Sequence, residues 1–397
     1  MIGCRGIISN HWSFGLCKIL EKNAGWRIDM IKRILKPILI LLAVVVGLFL
    51  LVFVSYVIYL QVNYYRIEDN TGLTVKNAQN AVLEQGGEYT AVTWNIGFGA
   101  YNHDFSFFMD TGVMDDGTKV SGKYSRAQSE QIVNENTDDA GQIMGELDAD
   151  FYLLQEVDVK STRSFGINQA DRISAWFTDY ATVYASNFHS VYQAYPLHEM
   201  LGSVEAGLLT MSRFAISEAT RRSYPVDDSF VTKFFDLDRC FSVHRIPVES
   251  SGELVLINSH MSAYDKGGLI RQQQMDFLTD VLKEEAQKGN YVIVGGDFNH
   301  SLCGTEESFA SHQKLPNWVQ PFDAEKLPEG YRVVEADNLM QTPTCRSTDM
   351  PYEKGINYTT VLDGFIVSSN VYANVKNIDT DFRCSDHNPV LLTFTLQ

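Results

Sequence analysis

The apolar residues of this chain form one long run near the N-terminus and many short runs after residue 88. Short runs rich in strand-type residues predict β-strands, and two longer stretches with apolar residues on one face predict helices. The predicted helices span 125–147 and 268–287. The predicted strands span 89–96, 151–157, 207–212, 240–248, 253–260, 291–296, 361–368 and 389–396. Many strands with few helices between them favour β-sheets packed on each other, with helices outside.

The long apolar run, residues 38–60, contains no charged residue. About 20 such residues span the core of a bilayer. The run lacks the small residues of a signal-peptide cleavage site, so we expect an uncleaved signal anchor at 37–60. Lys32, Arg33 and Lys36 precede it closely, whereas only Arg66 follows it closely. This bias predicts a single-pass protein of the cell membrane, with residues 1–36 in the cytoplasm and the rest outside.

The remainder of the chain divides into a short polar segment and a long mixed one. Residues 61–88 are polar with little periodicity and predict a stalk, whereas 89–397 shows no linker and predicts one catalytic domain. Residues 67–397 hold 24 basic and 47 acidic residues. Such an acidic domain is a poor passive binder of nucleic acid, although bound cations would let it act on a phosphate.

Four cysteines follow the apolar run, at Cys240, Cys303, Cys345 and Cys384. They are widely spaced and contain no C-x-x-C pair, which is not the pattern of a zinc site. An exported domain could join them in two disulfides, and four free thiols are an equally good interpretation.

Several predicted strands end, or nearly end, in side chains that can bind a metal or a phosphate. A rigid sheet holds such groups while the adjoining loops stay open, so we interpret them as one site. Alternation along an extended backbone turns Asp297 and Asn299 the same way, and we expect Gly295 and Gly296 to clear space for a phosphate there. The side chains are Asn95, Glu156, His260, Asp297, Asn299, Asp363, Asp386 and His387, together with Asn258, which we interpret as support for the end of its strand.

The motifs TWNIG, LLQEVD, GGDFN and SDHNPV occur in this order between residues 93 and 390. Together they resemble the endonuclease/exonuclease/phosphatase superfamily, which includes pancreatic deoxyribonuclease, neutral sphingomyelinases and inositol polyphosphate 5-phosphatases. GGDFN with SDHNPV is a specific pair, whereas TWNIG alone is weak. The resemblance covers residues 89–397. It implies an α/β fold, a four-layer αββα sandwich of two packed mixed β-sheets, and divalent-metal-dependent hydrolysis of a phosphoester at one end of the sheets.

The resemblance also implies a ligand set and a catalytic pair. Glu156, Asp386 and Asn95 would supply hard oxygen ligands, which suit Mg²⁺ or Mn²⁺, with Ca²⁺ as a further candidate. His387 would be hydrogen-bonded to Asp363 and would act as general base on the attacking water or orient it.

Other residues would bind the substrate or assist the leaving group. Asp297 and Asn299 would hold the nucleophile and the phosphate, and Asn95 would also contact the phosphate. His260 would contact another phosphate oxygen or assist the leaving group, and Glu205 loosely matches the glutamate that partners this histidine in the deoxyribonuclease-like branch.

Basic residues give a weaker signal. Arg163 and Arg271 could contact a substrate phosphate, and a solvated face or a structural ion pair is the alternative for both. We find no cluster of lysines and arginines that would supply the extra positive charge a phosphomonoesterase needs.

These features predict a membrane-anchored, metal-dependent phosphodiesterase with no protein partner. The motifs do not separate a phospholipid headgroup hydrolase from a nuclease, and a catalytically inactive phosphate-binding module is a further alternative. The aromatic segments 101–110, 174–188 and 191–196 are predicted insertions. They would lie at a lipid interface, stack on single-stranded bases or belong to the core. The membrane anchor favours a phosphodiester at or near the membrane.

Overall fold

The computed structural model describes residues 10–230, 232–235, 237–249, 252–263 and 268–397. The chain divides into two compact units, Met1–Asn63 and Tyr64–Gln397. The helices are α1 Asn10–Asn63, α2 Glu130–Leu147, α3 Gln169–Ser174 and α4 Leu269–Lys288. The strands are β1 Thr71–Gly72, β2 Val75–Lys76, β3 Glu88–Asn95, β4 Thr111–Val113, β5 Lys119–Ser121, β6 Phe151–Asp158, β7 Ala181–Gln193, β8 Gly202–Ser212, β9 Glu218–Ser223, β10 Cys240–Pro247, β11 Glu253–His260, β12 Tyr291–Asp297, β13 Tyr331–Val333, β14 Cys345–Arg346, β15 Thr359–Thr360, β16 Asp363–Ser368, β17 Val371–Asn377 and β18 Val390–Leu396.

The described part of the N-terminal unit is one helix, α1, which extends on both sides of the predicted segment 37–60 and has Pro37 inside it. Within the described residues, its portion Asp29–Asn63 is the helix long and apolar enough to cross a membrane, judged by length and composition. The first nine residues of the predicted segment 1–36 lie outside the described residues.

Two seven-stranded sheets form the second unit. The first sheet has the order β1-β9-β10-β11-β12-β16-β13, and the second has the order β17-β18-β3-β6-β8-β7-β2. Both sheets are mixed, because β11 and β12 are parallel in the first and β3 and β6 are parallel in the second, while their other pairings are antiparallel. The predicted fold class is therefore confirmed.

The core lies mainly between the two sheets, which explains why their central strands read as continuous apolar runs. Side chains from both sheets are fully buried together there, including Leu153, Leu256, Ile293 and Phe365. The helix α4 buries its apolar face on the outside of the first sheet, and α2 and α3 bury theirs on the second. The layers follow the order helix, sheet, sheet, helix.

Local signals set the helix ends. The side chain of Ser129 accepts a hydrogen bond from the backbone N–H of Ile132, so α2 begins at Glu130, after the predicted start. Such a cap satisfies a backbone donor that has no partner within the helix. Gly289 takes up the left-handed conformation that ends α4, a role that glycine fills with little strain.

The prediction of a stalk over 61–88 is wrong for most of that segment. The short strand β1 pairs with β9, β2 pairs with β7, and Leu83 is fully buried in the core. These strands cover one edge of each large sheet, which would otherwise expose unpaired backbone groups. The segment belongs to the folded unit, and only scattered apolar residues such as Leu73 and Leu83 marked it in the sequence.

The predicted insertions at 174–188 and 191–196 are largely one strand of the second sheet. The strand β7 has 13 residues and pairs with β8 along most of its length. Register shifts at Ser186/Phe188 and Ser190/Gln193 interrupt the regular alternation of its side chains. That irregularity is why the sequence did not show a strand there.

The four cysteines of the second unit are free thiols. Cys240, Cys345 and Cys384 are buried, and Cys303 is exposed. Burial raises the pKa of Cys240 to about 11 and that of Cys345 to about 12, which keeps both protonated at neutral pH.

Candidate active site

Three neighbouring strands of the first sheet carry polar side chains at the same end. The strand β11 ends at His260, the parallel β12 ends at Asp297, and the antiparallel β16 begins at Asp363. The register places His260 opposite Asp297, and Asp297 opposite Asp363. Because adjacent strands lie about 5 Å apart, the three side chains form a continuous row.

The second sheet brings Asn95 and Glu156 to the same place. Asn95 is the last residue of β3, and Glu156 lies near the end of β6. The pairing of β6 with β8 shifts between Leu154 and Val157, and Glu156 has a φ of 54°. Regular alternation would turn Glu156 to the same face as Leu154, which packs beneath the outer helices. The bulge re-aims the carboxylate, as bulges beside functional sites commonly do.

Asp297 is the centre of the group. Its Oδ2 accepts a hydrogen bond from Asn95 Nδ2 at 3.1 Å and lies 3.5 Å from His260 Nε2 and 3.8 Å from His387 Nε2. Its Oδ1 accepts a hydrogen bond from the backbone N–H of Asn299 at 2.8 Å. Burial raises the pKa of Asp297 above its usual range, and the positive charge of His387 opposes that shift.

His387 and Asp363 form the predicted pair. The imidazole Nδ1 lies 2.8 Å from Asp363 Oδ2, and both side chains are buried. This bond leaves Nε2 as the nitrogen available to a substrate. Burial alone would lower the pKa of His387, but the carboxylate of Asp363, together with Asp297, raises it well above its usual value. A divalent cation in the same site would act in the opposite direction.

Glu156 and Asp386 are two carboxylates that face the same space and suit a cation. Burial raises the pKa of Asp386 to about 7, and the nearby charge of Glu156 adds to that shift. Among the described residues, neither carboxylate forms an ion pair with a lysine or an arginine. Hard oxygen donors such as these carboxylates are what Mg²⁺, Mn²⁺ and Ca²⁺ require. The residues therefore fit the predicted divalent cation.

A second group of metal-ligand type overlaps the site. Ligand atoms of Asp297, Asp363 and His387 all lie within 4.8 Å of one another. In that group the Nδ1 of His387 and an oxygen of Asp363 are already engaged with each other. The described residues thus offer two sets of donors for a metal.

Asn95 is oriented as a hydrogen-bond donor. Its Nδ2 donates to Asp297 and to Glu156 Oε1, the latter at 3.3 Å, while its Oδ1 accepts a hydrogen bond from the backbone N–H of Gly97 at 3.0 Å. Each partner matches this orientation of the amide, since both carboxylates accept and the N–H donates. The orientation favours a bridge between two carboxylates over the oxygen ligand that the sequence predicted.

The glycines before Asp297 serve packing within the fold. A Cβ on Gly295 would lie 2.6 Å from the side chain of Leu153, and one on Gly296 would lie 2.0 Å from the carbonyl oxygen of Ser259. The prediction that they clear space for a phosphate is therefore wrong, because core and strand atoms fill that space. Asn299, two residues on from Asp297, does reach the site, and its Nδ2 donates to the carbonyl of Met261 at 2.9 Å.

The polar group opens into a cavity of about 970 Å³. Much of the rest of its wall is aromatic or aliphatic. The polar part is lined by Asn95, Glu156, His260, Asp297, Asn299, Asp386 and His387, and the apolar part includes Phe98, Tyr101, Phe108, Phe188, Tyr195, Leu201, Leu237 and Ile270.

A family model described as "Endonuclease/Exonuclease/phosphatase family" matches residues 92–387, which include all of these polar residues. The chain belongs to this family. The resemblance seen in the sequence motifs is thereby confirmed, and the chain is a phosphoric ester hydrolase. Comparison with curated proteins finds no match.

The chain is similar to several solved structures. They include a family protein from Leptotrichia buccalis, at 15% identity and a TM-score of 0.49, covering 78% of this chain and 100% of that one. Truncated TDP2 from Caenorhabditis elegans is also 15% identical, with a TM-score of 0.48 and coverage of 78% and 99%. TDP2 from D. rerio, complexed with a single-strand DNA product, has the same identity, TM-score and coverage.

Within this endonuclease/exonuclease/phosphatase domain, His260 has a different partner from the predicted Glu205. Its Nδ1 lies 3.4 Å from Nδ2 of Asn187, a residue of β7 that the sequence did not single out. Glu205 lies on β8 opposite His189, and it is not among the residues that line the cavity. Burial lowers the pKa of His260 well below its usual value, and the charge of Arg239 adds to this shift. The imidazole is therefore neutral at neutral pH.

Arg163 reaches the cavity wall as part of a buried ion pair. Its guanidinium contacts both carboxylate oxygens of Asp158, at 2.8 and 3.1 Å, and lies 3.8 Å from the ring centroid of Phe98. The alternative of a structural ion pair is therefore what the structure shows. Arg271 is buried and donates to the carbonyls of Trp318 and Asn299, so it braces the loop after β12.

Two further arginines line the cavity and were missed. Arg239 and Arg346 are both nine-tenths buried, so together with Arg163 three guanidinium groups surround the site. Arg346 donates from Nη2 to the carbonyl of Asn102 at 3.1 Å, and its buried Nε has no partner. The sequence showed no cluster of lysines and arginines, and Arg163, one of these three, is already paired with Asp158. These residues stand far apart in the sequence, so only the fold brings them together.

Proposed function

We propose that this hydrolase is a membrane-anchored phosphodiesterase that depends on a divalent cation and acts outside the cytoplasm. The observation that supports it best is the convergence of the His387–Asp363 pair on Asp297, at a cavity that also contains His260 and Glu156. Every side chain that such a hydrolysis needs is present, which argues against an inactive phosphate-binding module.

The chain's own residues would divide the work of proton transfer and positioning. Asp363 fixes the ring of His387, so that Nε2 faces Asp297 and can exchange a proton with, or orient, the attacking water. Asp297 accepts from several donors and would hold that water in place. His260 is neutral and buried, so it would donate a hydrogen bond to a phosphate oxygen or assist the leaving group.

The cation would be held chiefly by Glu156 and Asp386, with Mg²⁺ or Mn²⁺ as the first candidates and Ca²⁺ as the next. When bound, such a cation neutralises charge on a phosphate oxygen and stabilises the charge that develops during hydrolysis. Asn95 would keep the carboxylates of Glu156 and Asp297 in a fixed relation through its amide.

The cavity wall supports a substrate that joins a phosphate to an apolar group. Aromatic and aliphatic side chains line the cavity next to its polar end. The hydrocarbon chains of a lipid phosphodiester would require such a wall. The acidic domain, with 47 acidic and 24 basic residues in 67–397, would repel long duplex DNA. A nuclease activity is the alternative, since aromatic walls also stack unpaired bases. Arg346, which lines the cavity and has a buried Nε without a hydrogen-bond partner, favours as a further candidate a substrate with an additional anionic group.

A substrate panel tests this proposal. The purified full chain, in detergent with Mg²⁺, is expected to release headgroup from at least one of sphingomyelin, phosphatidylcholine and phosphoinositides. Plasmid DNA, RNA and a simple phosphomonoester complete the panel. A preparation of the His387→Ala variant controls for contaminating activity. Nicking of plasmid at low enzyme, with no headgroup released from any lipid, would leave the nuclease alternative standing.

The proposed orientation has its own test. Three basic residues close before the apolar portion of α1, against one close after it, predict an external second unit. Protease added to intact cells should therefore release fragments of 64–397, while a cytoplasmic marker protein stays intact. If the unit is cleaved only after lysis, the orientation is the reverse of the one proposed.

A further inference from the structure

The mouth of the active-site cavity is ringed by exposed apolar side chains. Met109, Tyr195, Phe235 and Leu269 each line the cavity, yet 40–63% of their surfaces are accessible to solvent. We call these four residues the apolar rim. They come from four separate segments of the chain, so the fold gathers them around one opening. Soluble domains seldom expose a contiguous apolar patch, and such patches commonly mark an interaction surface.

Two of these segments carry further exposed apolar residues beside the rim. Leu197 follows Tyr195 by two residues and is 79% exposed. Phe230 is 59% exposed, and its ring contacts Phe234, the neighbour of Phe235, at a centroid distance of 5.5 Å. Neither Leu197 nor Phe230 lines the cavity, and both are exposed close in sequence to rim residues.

The start of the folded unit lies against the same segment. The ring of Tyr64 contacts Phe234 at 5.6 Å, and Arg66 forms an ion pair with Asp238 at 2.7 Å. Lys233 lies over the rings of Tyr64, Phe230 and Phe234, which ties this cluster together. Tyr64 directly follows Asn63, the last residue of the helix that is long and apolar enough to cross a membrane. The first residues of the folded unit therefore lie beside one of the four segments that carry the rim, the one that contains Phe235.

We propose that the apolar rim, with Leu197 and Phe230, docks onto the surface of the bilayer and opens the catalytic cavity towards the lipid. The observation behind it is that exposed apolar residues from four segments line the cavity, and that one of these segments contacts Tyr64, where the folded unit begins. Aromatic rings and aliphatic side chains at such a surface partition into the region between headgroups and acyl chains. The substrate would then be a phosphodiester lipid that enters the cavity from the membrane. The inference rests on the proposed membrane-anchored function.

Contact with lipid can be measured without measuring hydrolysis. The full chain is reconstituted in phosphatidylcholine vesicles whose acyl chains carry bromine, which quenches nearby tryptophan. The Phe230→Trp and Leu197→Trp variants each add the fluorescence emission of one further tryptophan to that of the parent protein. Both substitutions are at exposed positions, so neither should disturb folding. Most of the added emission is expected to be lost in brominated vesicles at both positions.

Tyr372→Trp is the matched control. Tyr372 is 64% exposed on β17, and it does not line the cavity. Its added emission should be the same with and without bromine. If the added tryptophans at 230 and 197 are not quenched, but the protein resists extraction from the vesicles by alkali, the docking surface is wrong. The membrane anchor is then unaffected. A blue shift there without quenching shows that protein covers the rim, and it also overturns the proposal. Protein that is extracted by alkali refutes the membrane anchor and this inference with it.

Discussion

Replacement of His387 by alanine is expected to lower the rate of hydrolysis by about 10²–10⁴-fold, the usual contribution of a positioned acid or base. In free-energy terms this is about 3–5 kcal/mol of transition-state stabilisation. The expectation follows from the 2.8 Å contact between His387 Nδ1 and Asp363, which leaves Nε2 directed at the site. Steady-state kinetics on whichever substrate the panel identifies would measure it, with kcat falling more than KM rises.

Two controls separate chemistry from folding. Removal of the imidazole leaves the buried carboxylate of Asp363 without its partner, which can destabilise the domain. His387→Asn keeps a side-chain donor near Asp363 and should fold as the parent does, with a comparable loss of rate. His312 is an exposed histidine whose ring faces Asp115, and His312→Ala should leave the rate unchanged.

The binding of Mn²⁺ to the same variant distinguishes the two possible groups of metal ligands. If Glu156 and Asp386 hold the cation, the affinity for Mn²⁺ in the His387→Ala variant should remain close to that of the parent. A large loss of affinity would instead place His387 among the ligands, with Asp297 and Asp363. In that case the catalytic role assigned to His387 would be wrong.

The strand ends that carry site residues were predictable, because a buried strand appears in the sequence as an apolar run that stops where the strand ends. Apolar runs that stop at Asn95, His260 and Asp297 could be recognised from the sequence, and β3, β11 and β12 end at these residues. The register then follows from the fold, since adjacent strands that end together place such residues in one row. Side chains at the ends of regular strands were therefore the reliable part of the sequence interpretation.

Contacts that depend on irregular backbone were not predictable. The partner of His260 is Asn187, which lies on β7 where the pairing register shifts. A period-two pattern is lost at such a point, so the sequence predicts an insertion there. Glu205 is the predicted partner only because it loosely matches the glutamate of the deoxyribonuclease-like branch. The bulge that re-aims Glu156 is equally invisible in the sequence, although the glutamate itself stands in the LLQEVD motif.

Long-range electrostatics was the other part that the sequence could not show. Arg239 and Arg346 are more than a hundred residues apart, and neither lies in a basic run. The two-residue strands β1 and β2 could not be predicted for a similar reason. Their backbones find a pairing partner only at the edges of the folded sheets. In each case the deciding interaction joins segments that are distant in sequence.

Removal of divalent cations is expected to abolish hydrolysis, and Glu156→Gln is expected to abolish most of it. Both expectations rest on two facing carboxylates, Glu156 and Asp386, that have no lysine or arginine as an ion-pair partner among the described residues. Activity should disappear in EDTA and return with Mg²⁺ or Mn²⁺. Full activity in the chelator would end the metal-dependent mechanism.

Glu156→Gln tests the ligand assignment independently of activity. The change removes one charge but little volume, so the domain should keep its fold and its thermal stability. Calorimetric titration of the full chain in detergent should show Mn²⁺ binding weakened by more than the roughly 10–100-fold loss caused by removing a residue that merely orients a ligand. Glu284 is exposed on α4, and Glu284→Gln should bind Mn²⁺ as the parent does. If the Mn²⁺ affinity of Glu156→Gln is unchanged, the ligand assignment is wrong and the cation binds instead to Asp297, Asp363 and His387. Among the described residues, the ligand atoms of these three lie close enough together to bind one ion.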